Sequence, residues 1–357
     1  MSIIPLYGHD ALRQRLRLAV TRGTLPGSIL LHGARGVGKQ RLALWLGQLL
    51  LCSGDGERPC GRCQHCRYAL NVTHPDLHWF FPRPRLKESD PDPDTVREDY
   101  GDAIAGRVAE RGLYAAGDGS EAIFVAVVRA LLQQAALSPA LARRKVFVVG
   151  DAERMVPQEG SDQAANAFLK LLEEPPADTT LILTSSEPGA LLPTIRSRVV
   201  AIRVPPLTEA SMRQFLADPA VADVLAESGV PSGTGERIRL AQGAPGALLA
   251  ASGIKESLDQ ANRLVAAAAR GDPADRFRLA FSQGASKARG GFAQMLDALT
   301  IVLHQRLRQA VAAGDEQAER HARALEVVER AKILATGNVN PQLVTASLIR
   351  QLAPLIQ

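Results

Sequence analysis

Aromatic side chains are scarce in this 357-residue chain, at 4% of residues, and cysteine is missing from all but one short stretch. A chain with few rings builds its core from aliphatic side chains, and the abundance of alanine and leucine predicts a helix-rich protein. No segment reaches about 18 uninterrupted apolar residues, so no membrane-spanning helix is expected. The opening MSIIPLYGHDALRQRLRLAV interrupts its apolar pattern with Asp10, Arg13, Arg15 and Arg17, which argues against a secretory signal and predicts a soluble, cytoplasmic protein. Neither sign of charge is in large excess. Lysine plus arginine number 42 against 37 for aspartate plus glutamate, a net +5 that suits nearness to nucleic acid without requiring it. No internal repeat is evident, and the length allows two or three domains with cores of their own.

In a reducing compartment the cysteines need an explanation other than disulfides. All four fall within fifteen residues, Cys52, Cys60, Cys63 and Cys66, in the spacing C-x7-C-x2-C-x2-C. Four thiolates so placed can surround one tetrahedral zinc ion and leave it no open position, which makes a structural site rather than a catalytic one. An iron–sulfur cluster is the chemical alternative, and would colour the protein. His65 stands between two of the cysteines, but four sulfurs already complete the shell. Unrelated buried thiols would have no reason to gather in one place.

Residues 33–40 read GARGVGKQ, a phosphate-binding loop up to its last letter. A strand is predicted over residues 28–33 before it and a helix, QRLALWLGQLLLC, after it, which is the context the motif requires. Gly33, Gly36 and Gly38 let backbone N–H groups approach phosphate, and Lys39 would reach the β and γ oxygens. At position 40 a Ser or Thr hydroxyl would hold magnesium, and Gln40 stands there instead. A second defect follows in VFVVGDAER, where an ATPase needs one acid for magnesium and another to activate water. In one register Gly150 takes the place of the magnesium acid and Asp151 that of the base. Shifted by one, Asp151 is the magnesium acid and Ala152 the lost base. One carboxylate is missing either way, so a bound ATP or ADP would not be hydrolysed by the chain alone.

Around these motifs the apolar pattern alternates. Helices are predicted over residues 11–20, over 127–136 and in AANAFLKLLEE, and buried strands over 146–149, in TTLILTSSEP and over 199–204. Such alternation predicts an α/β domain with a parallel sheet over residues 1–205, carrying the four-cysteine module at 52–66. Residues from about 83 to 120 are polar and rich in proline and acid, and read as a surface insert or loop outside the core. Strand signals then stop. A small helical domain is expected over 206–252 and an all-α bundle over 253–357, with Met295, Leu296, Leu299, Leu303 and Leu307 on one helix face as core or subunit contact.

NAFLKLLEEPP, LILTSSEPGALLPTIRSRV and the cysteine module after the phosphate-loop helix together resemble the bacterial clamp-loader subunits of DNA polymerase III, members of the AAA+ family. The degraded loop and acid pair resemble the delta-prime branch more than the ATP-hydrolysing gamma/tau branch. GAPGALLA and NVNPQLVTASLI extend the likeness more weakly into the helical remainder. The resemblance implies an AAA+ domain, a helical lid over 206–252, and a collar over 253–357 that assembles in a hetero-pentamer with gamma/tau-type and delta-type subunits. It implies a non-catalytic part in a DNA-directed DNA polymerase, a nucleotidyltransferase, placing the sliding clamp on primed DNA during replication. The family's Ser-Arg-Cys motif reads Ser197-Arg198-Val199 here, and Arg198 is implied as an arginine finger acting in trans on a neighbour's ATP. The lid's sensor arginine is replaced by Pro245 or Gly246, while Thr184 and Ser185 match the strand-end sensor region.

Rival readings are a gamma/tau-type ATPase, a self-sufficient AAA+ enzyme or helicase, and a zinc-stabilised DNA-binding protein. The last has only Arg58, Arg62 and Arg67 as bases near the cysteines and few rings to stack on nucleotides.

Overall fold

The computed structural model describes residues 2–88, 90–114, 121–156, 162–228, 230–249, 254–270, 276, 278, 280, 289–336 and 339–356. They form two compact units, the first ending at Leu249 and the second containing the helices from Ile254 onward.

Five parallel strands form the sheet of the first unit: β1 (Ser28–His32), β2 (Leu77–Phe80), β3 (Lys145–Val149), β4 (Thr179–Ser185) and β5 (Val200–Arg203), in the order β2-β3-β4-β1-β5. β1 lies inside the sheet between β4 and the edge strand β5, with Ile29 opposite Ile182 on one side and Val200 on the other. Its neighbours come from distant parts of the chain, and ligand loops gather beyond the carboxyl ends of strands at such a crossing. The apolar runs of β1, β3 and β4 are buried because helices cover the sheet, as the crossovers of an all-parallel sheet require. α1 (Asp10–Thr21) precedes the sheet, and α2 (Lys39–Leu51) packs across it through the fully buried Leu42, Ala43 and Leu46. α3 (Gln64–Leu70) follows the cysteines. α5 (Val125–Ala136) and α6 (Gln163–Glu173) pack against one another, and the single turn α7 (Pro193–Arg196) is pinned by buried Ile195.

Two features depart from the sequence reading. β2 was not expected, since LHWF mixes a histidine with bulky rings and forms no aliphatic run. The segment expected as a polar surface insert contains a 17-residue helix, α4 (Pro93–Ala109), with Val96 and Tyr100 in the core. Its start was written in the acids and prolines that suggested a loop. Asp92 accepts the N–H groups of Asp94 and Thr95 as an N-cap, and Pro93 takes the first helical position, where its missing N–H costs nothing. Arg83 then grips Asp99 through two N–H groups at 2.9 and 3.0 Å. Residues 89 and 115–120 of that segment lie outside the described residues.

The first unit also contains α8 (Glu209–Leu216), α9 (Pro219–Glu227), α10 (Thr234–Ala241) and α11 (Gly246–Leu249). The Tyr7 hydroxyl donates to Asp218 at 2.6 Å and its ring meets Phe215, which ties the N-terminal segment to these helices. Burial, with the Asp218 charge adding to it, pushes the Tyr7 hydroxyl up to about 12.

The second unit packs α12 (Ile254–Arg270), α13 (Arg289–Ala313), α14 (Gln317–Thr336) and α15 (Pro341–Ile356) around one aliphatic core. Met295, Leu296, Leu299 and Leu303 are fully buried in it, while Leu307, one turn further along α13, is only half-buried. Among the described residues no helix is long and apolar enough to cross a membrane.

Candidate functional site

The phosphate loop leaves β1 and turns into α2 through Gly36 and Gly38, at φ +77° and +95°, a region that strains any residue with a Cβ. Space imposes a second demand on Gly36. The N–H of Gly246, at the start of α11, donates to Gly36 O at 2.9 Å, and a Cβ on Gly36 would lie 3.0 Å from Ala247 N. The position expected to carry a sensor arginine is therefore a backbone contact between α11 and the loop.

Lys39 is turned onto its own loop. Its Nζ donates to Gly33 O and Ala34 O at 3.0 Å each and to Ser186 Oγ at 2.8 Å. Burial pulls the ammonium below its ordinary range, opposed by the carboxylates of Asp151 and Glu153. Glu153 itself is held above the ordinary carboxyl range by burial and then by the Asp151 charge. One of its oxygens accepts the Ser186 N–H at 2.9 Å, and the other is buried without a hydrogen-bond partner among the described residues. Thr184 Oγ1 accepts the N–H of Asp151, whose backbone is left-handed at φ 46°.

Gln40 and Gly150 fit one another. The Gln40 amide donates to Asp151 Oδ2 at 3.0 Å and accepts from Trp79 Nε1 at 3.0 Å and the Tyr114 hydroxyl at 3.4 Å. A Cβ built on Gly150 would lie 2.5 to 2.6 Å from the Gln40 amide atoms. A side chain at position 150, an aspartate included, would have to push the Gln40 amide off its bonds to Asp151, Trp79 and Tyr114. Arg107, from α4, closes the cluster, its guanidinium lying 3.3 Å from the ring centre of Phe81, 4.0 Å from Tyr114 and 4.8 Å from Trp79. Magnesium does not fit this arrangement: the residue-40 group is an amide committed to protein partners, and the second acid is a glycine whose open side that amide fills.

Arg198 lies on the surface just after α7, and its N–H donates to Ile195 O. Its guanidinium donates to Glu173 Oε1 at 2.7 Å, Thr194 O at 2.9 Å and Ser197 Oγ at 3.3 Å.

The four cysteines converge. Their sulfurs all lie within 4.8 Å of one another, with Cys60 to Cys66 at 3.9 Å and Cys52 to Cys63 at 4.0 Å, and none is in a disulfide. Backbone N–H groups of Cys60, Cys63 and Cys66 point at the sulfurs of Cys52, Cys60 and Cys63, which favours thiolates. Against the upward push of burial, such bonds from Cys66 and Ser53 bring the Cys63 thiol down to about 6. The cluster can hold a metal ion. His65 turns away from it to pair with His74 at 2.8 Å.

Sequence reasoning singled out Gln40, Gly150 and Asp151 but missed Trp79, Arg107, Tyr114, Glu153 and Ser186. Glu153 had a legible signal, as a second acid two residues beyond Asp151. The rings had one only in hindsight, as a cluster in a chain that has few.

Residues 8–208 match the sequence model of the family described as DNA polymerase III, delta subunit. Curated relatives include the DNA polymerase III subunit delta' of Pseudomonas aeruginosa, 33% identical over 217 residues, which are 58% of this chain and 54% of that protein. The Bacillus subtilis subunit delta' is 25% identical over 58% of this chain and 51% of its own length. The gamma/tau subunit of Mycobacterium tuberculosis is 30% identical over 60% of this chain and 31% of its own length. The chain spans about half the length of the delta' relatives it matches. With a match over more than half of its residues, this chain belongs to the DNA polymerase III delta subunit family.

Proposed function

We propose that the chain is a non-hydrolysing, delta-prime-type subunit of a clamp loader, which assembles with gamma/tau-type and delta-type subunits in a hetero-pentamer and helps place the sliding clamp on primed DNA. The observation that carries this reading is the fit of Gln40 against Gly150, in which an amide bonded to protein groups stands where a hydroxyl would hold magnesium and no acid stands at position 150. Phosphoryl transfer draws nearly all of its acceleration from the metal and from positioned groups. A nucleotide held by Gly33, Gly36, Gly38 and Lys39 would stay intact.

Arg198 is then the working residue, stabilising charge on the γ-phosphate of a neighbouring subunit. Its place on the surface, after a turn anchored by buried Ile195, supports this. Residues 206–252 act as the lid and 253–357 as the collar. The cysteines hold a structural zinc ion: with zinc–sulfur bonds of about 2.3 Å, tetrahedral sulfurs stand roughly 3.8 Å apart, near the 3.9 and 4.0 Å distances here.

The test is ATP hydrolysis by the chain alone and by a clamp loader reconstituted with it. The chain alone should be inactive. Arg198→Ala should leave assembly intact and lower DNA- and clamp-stimulated hydrolysis by about tenfold or more, since fingers contribute roughly 10³–10⁵ at a single site. Unchanged hydrolysis removes Arg198 from the mechanism, and turnover by the chain alone makes it a gamma/tau-type ATPase.

A further inference from the structure

We infer that Glu173 is a positioning residue for Arg198, a fixed carboxylate that holds the guanidinium ready for a neighbouring subunit's phosphate. This deepens the reading of Arg198 as a finger in trans and rests on it.

Glu173 is the last residue of α6, and Glu174 follows it as the C-cap. A helix C-terminus carries partial negative charge, so a carboxylate there is locally unfavourable. The pair it forms is about half exposed on the acid's side, and such pairs add little to stability. Helix stability therefore does not account for an acid at this position. Its contact with Arg198 does: Nη2 donates to Glu173 Oε1 at 2.7 Å while Nη1 is occupied by Thr194 O and Ser197 Oγ.

A guanidinium has five N–H groups. These three bonds leave two of them, Nε–H and one on Nη2, available to donate to phosphate oxygens. A long, exposed arginine otherwise loses rotamer freedom when it docks. Glu173 has already restricted that freedom in the free chain. α6 and α7 pack together, so the acid that ends α6 and the arginine two residues beyond α7 are held by contacting elements.

The experiment is a double-mutant cycle in the reconstituted clamp loader, reading kcat and KM for DNA- and clamp-stimulated ATP hydrolysis, with assembly and thermal stability measured for each variant. Glu173→Ala should lower kcat by about three- to tenfold with KM for ATP and thermal stability little changed, and Glu173→Gln, which keeps an oxygen acceptor, should recover part of the loss. In an Arg198→Ala background Glu173→Ala should have no further effect, because it acts only through Arg198. If Arg198→Ala lowers hydrolysis but Glu173→Ala is silent, or adds to it independently, the positioning role is overturned while the finger stands. If Arg198→Ala itself changes nothing, the finger reading fails and takes this inference with it.

Discussion

One helix joins two regions that treat a cation in opposite ways. At the first turn of α2, the Gln40 amide is satisfied by protein groups alone, donating to Asp151 and accepting from Trp79 and Tyr114. At the C-cap of the same helix stands Cys52, one of four sulfurs that converge within 4.8 Å. Thiolates gathered so closely repel one another and have only weak N–H donors in return, so a divalent ion is the partner that balances them. The difference separates a cluster that protein groups satisfy from one that can hold a metal ion. In the first, protein groups have closed over the gap and satisfied one another; in the second, the ligands face inward and depend on what comes between them.

The largest effect should come from breaking the cysteine end. Cys63→Ser should abolish stoichiometric zinc and open residues 52–66 to protease, since a structural site of this kind contributes on the order of 10 kcal/mol to local folding. The hydrogen-exchange protection of the phosphate loop should survive. Metal analysis that still finds one zinc per chain would refute the four-thiolate assignment, and loss of loop protection would show that the two ends are not independent.

The other end should break by crowding. Gly150→Asp should cost about 1–3 kcal/mol in urea denaturation, because the new side chain pushes the Gln40 amide off its hydrogen bonds and sets a second carboxylate beside Asp151. Gln40→Ser on that background should regain part of the loss and give the site a measurable magnesium affinity. Gly150→Asp as stable as the parent would mean that Gln40 does not fill this space.

A smaller effect separates acid loss of metal from acid loss of fold. His78, on β2 and stacked on Phe147, is lowered from 6.5 to about 4, chiefly by burial. The unfolded chain takes up this proton first as pH falls. The contribution of His78 is thus complete above about pH 6.5 and is lost progressively down to about pH 4. His78→Gln should flatten that part of the stability curve while zinc release keeps its own pH midpoint. An unchanged slope would assign the acid sensitivity to other groups.

How far the sequence foretold this structure depends on the range of the interactions involved. β1, β3, β4, α2 and α6 were legible because continuous or periodic apolar residues mark them locally. α4 was not: two core residues, Val96 and Tyr100, are diluted among Asp94, Glu98 and Asp102, and only the Asp92 cap marks its start. The cysteine cluster was fully legible, since its ligands lie within fifteen residues. At the phosphate loop each defect could be read singly, but their fit could not, because the bonds of Gln40 reach Trp79 and Asp151, 39 and 111 positions away. Two losses in the text are a single matched pair in space.

The contact between Gly246 and Gly36 bears on how force passes through this subunit. The start of α11 is fastened to the loop by a backbone hydrogen bond, between two residues too close to admit even a methyl group. A load applied to α11 is passed straight into the sheet through β1. The contact serves as a strut between α11 and the sheet.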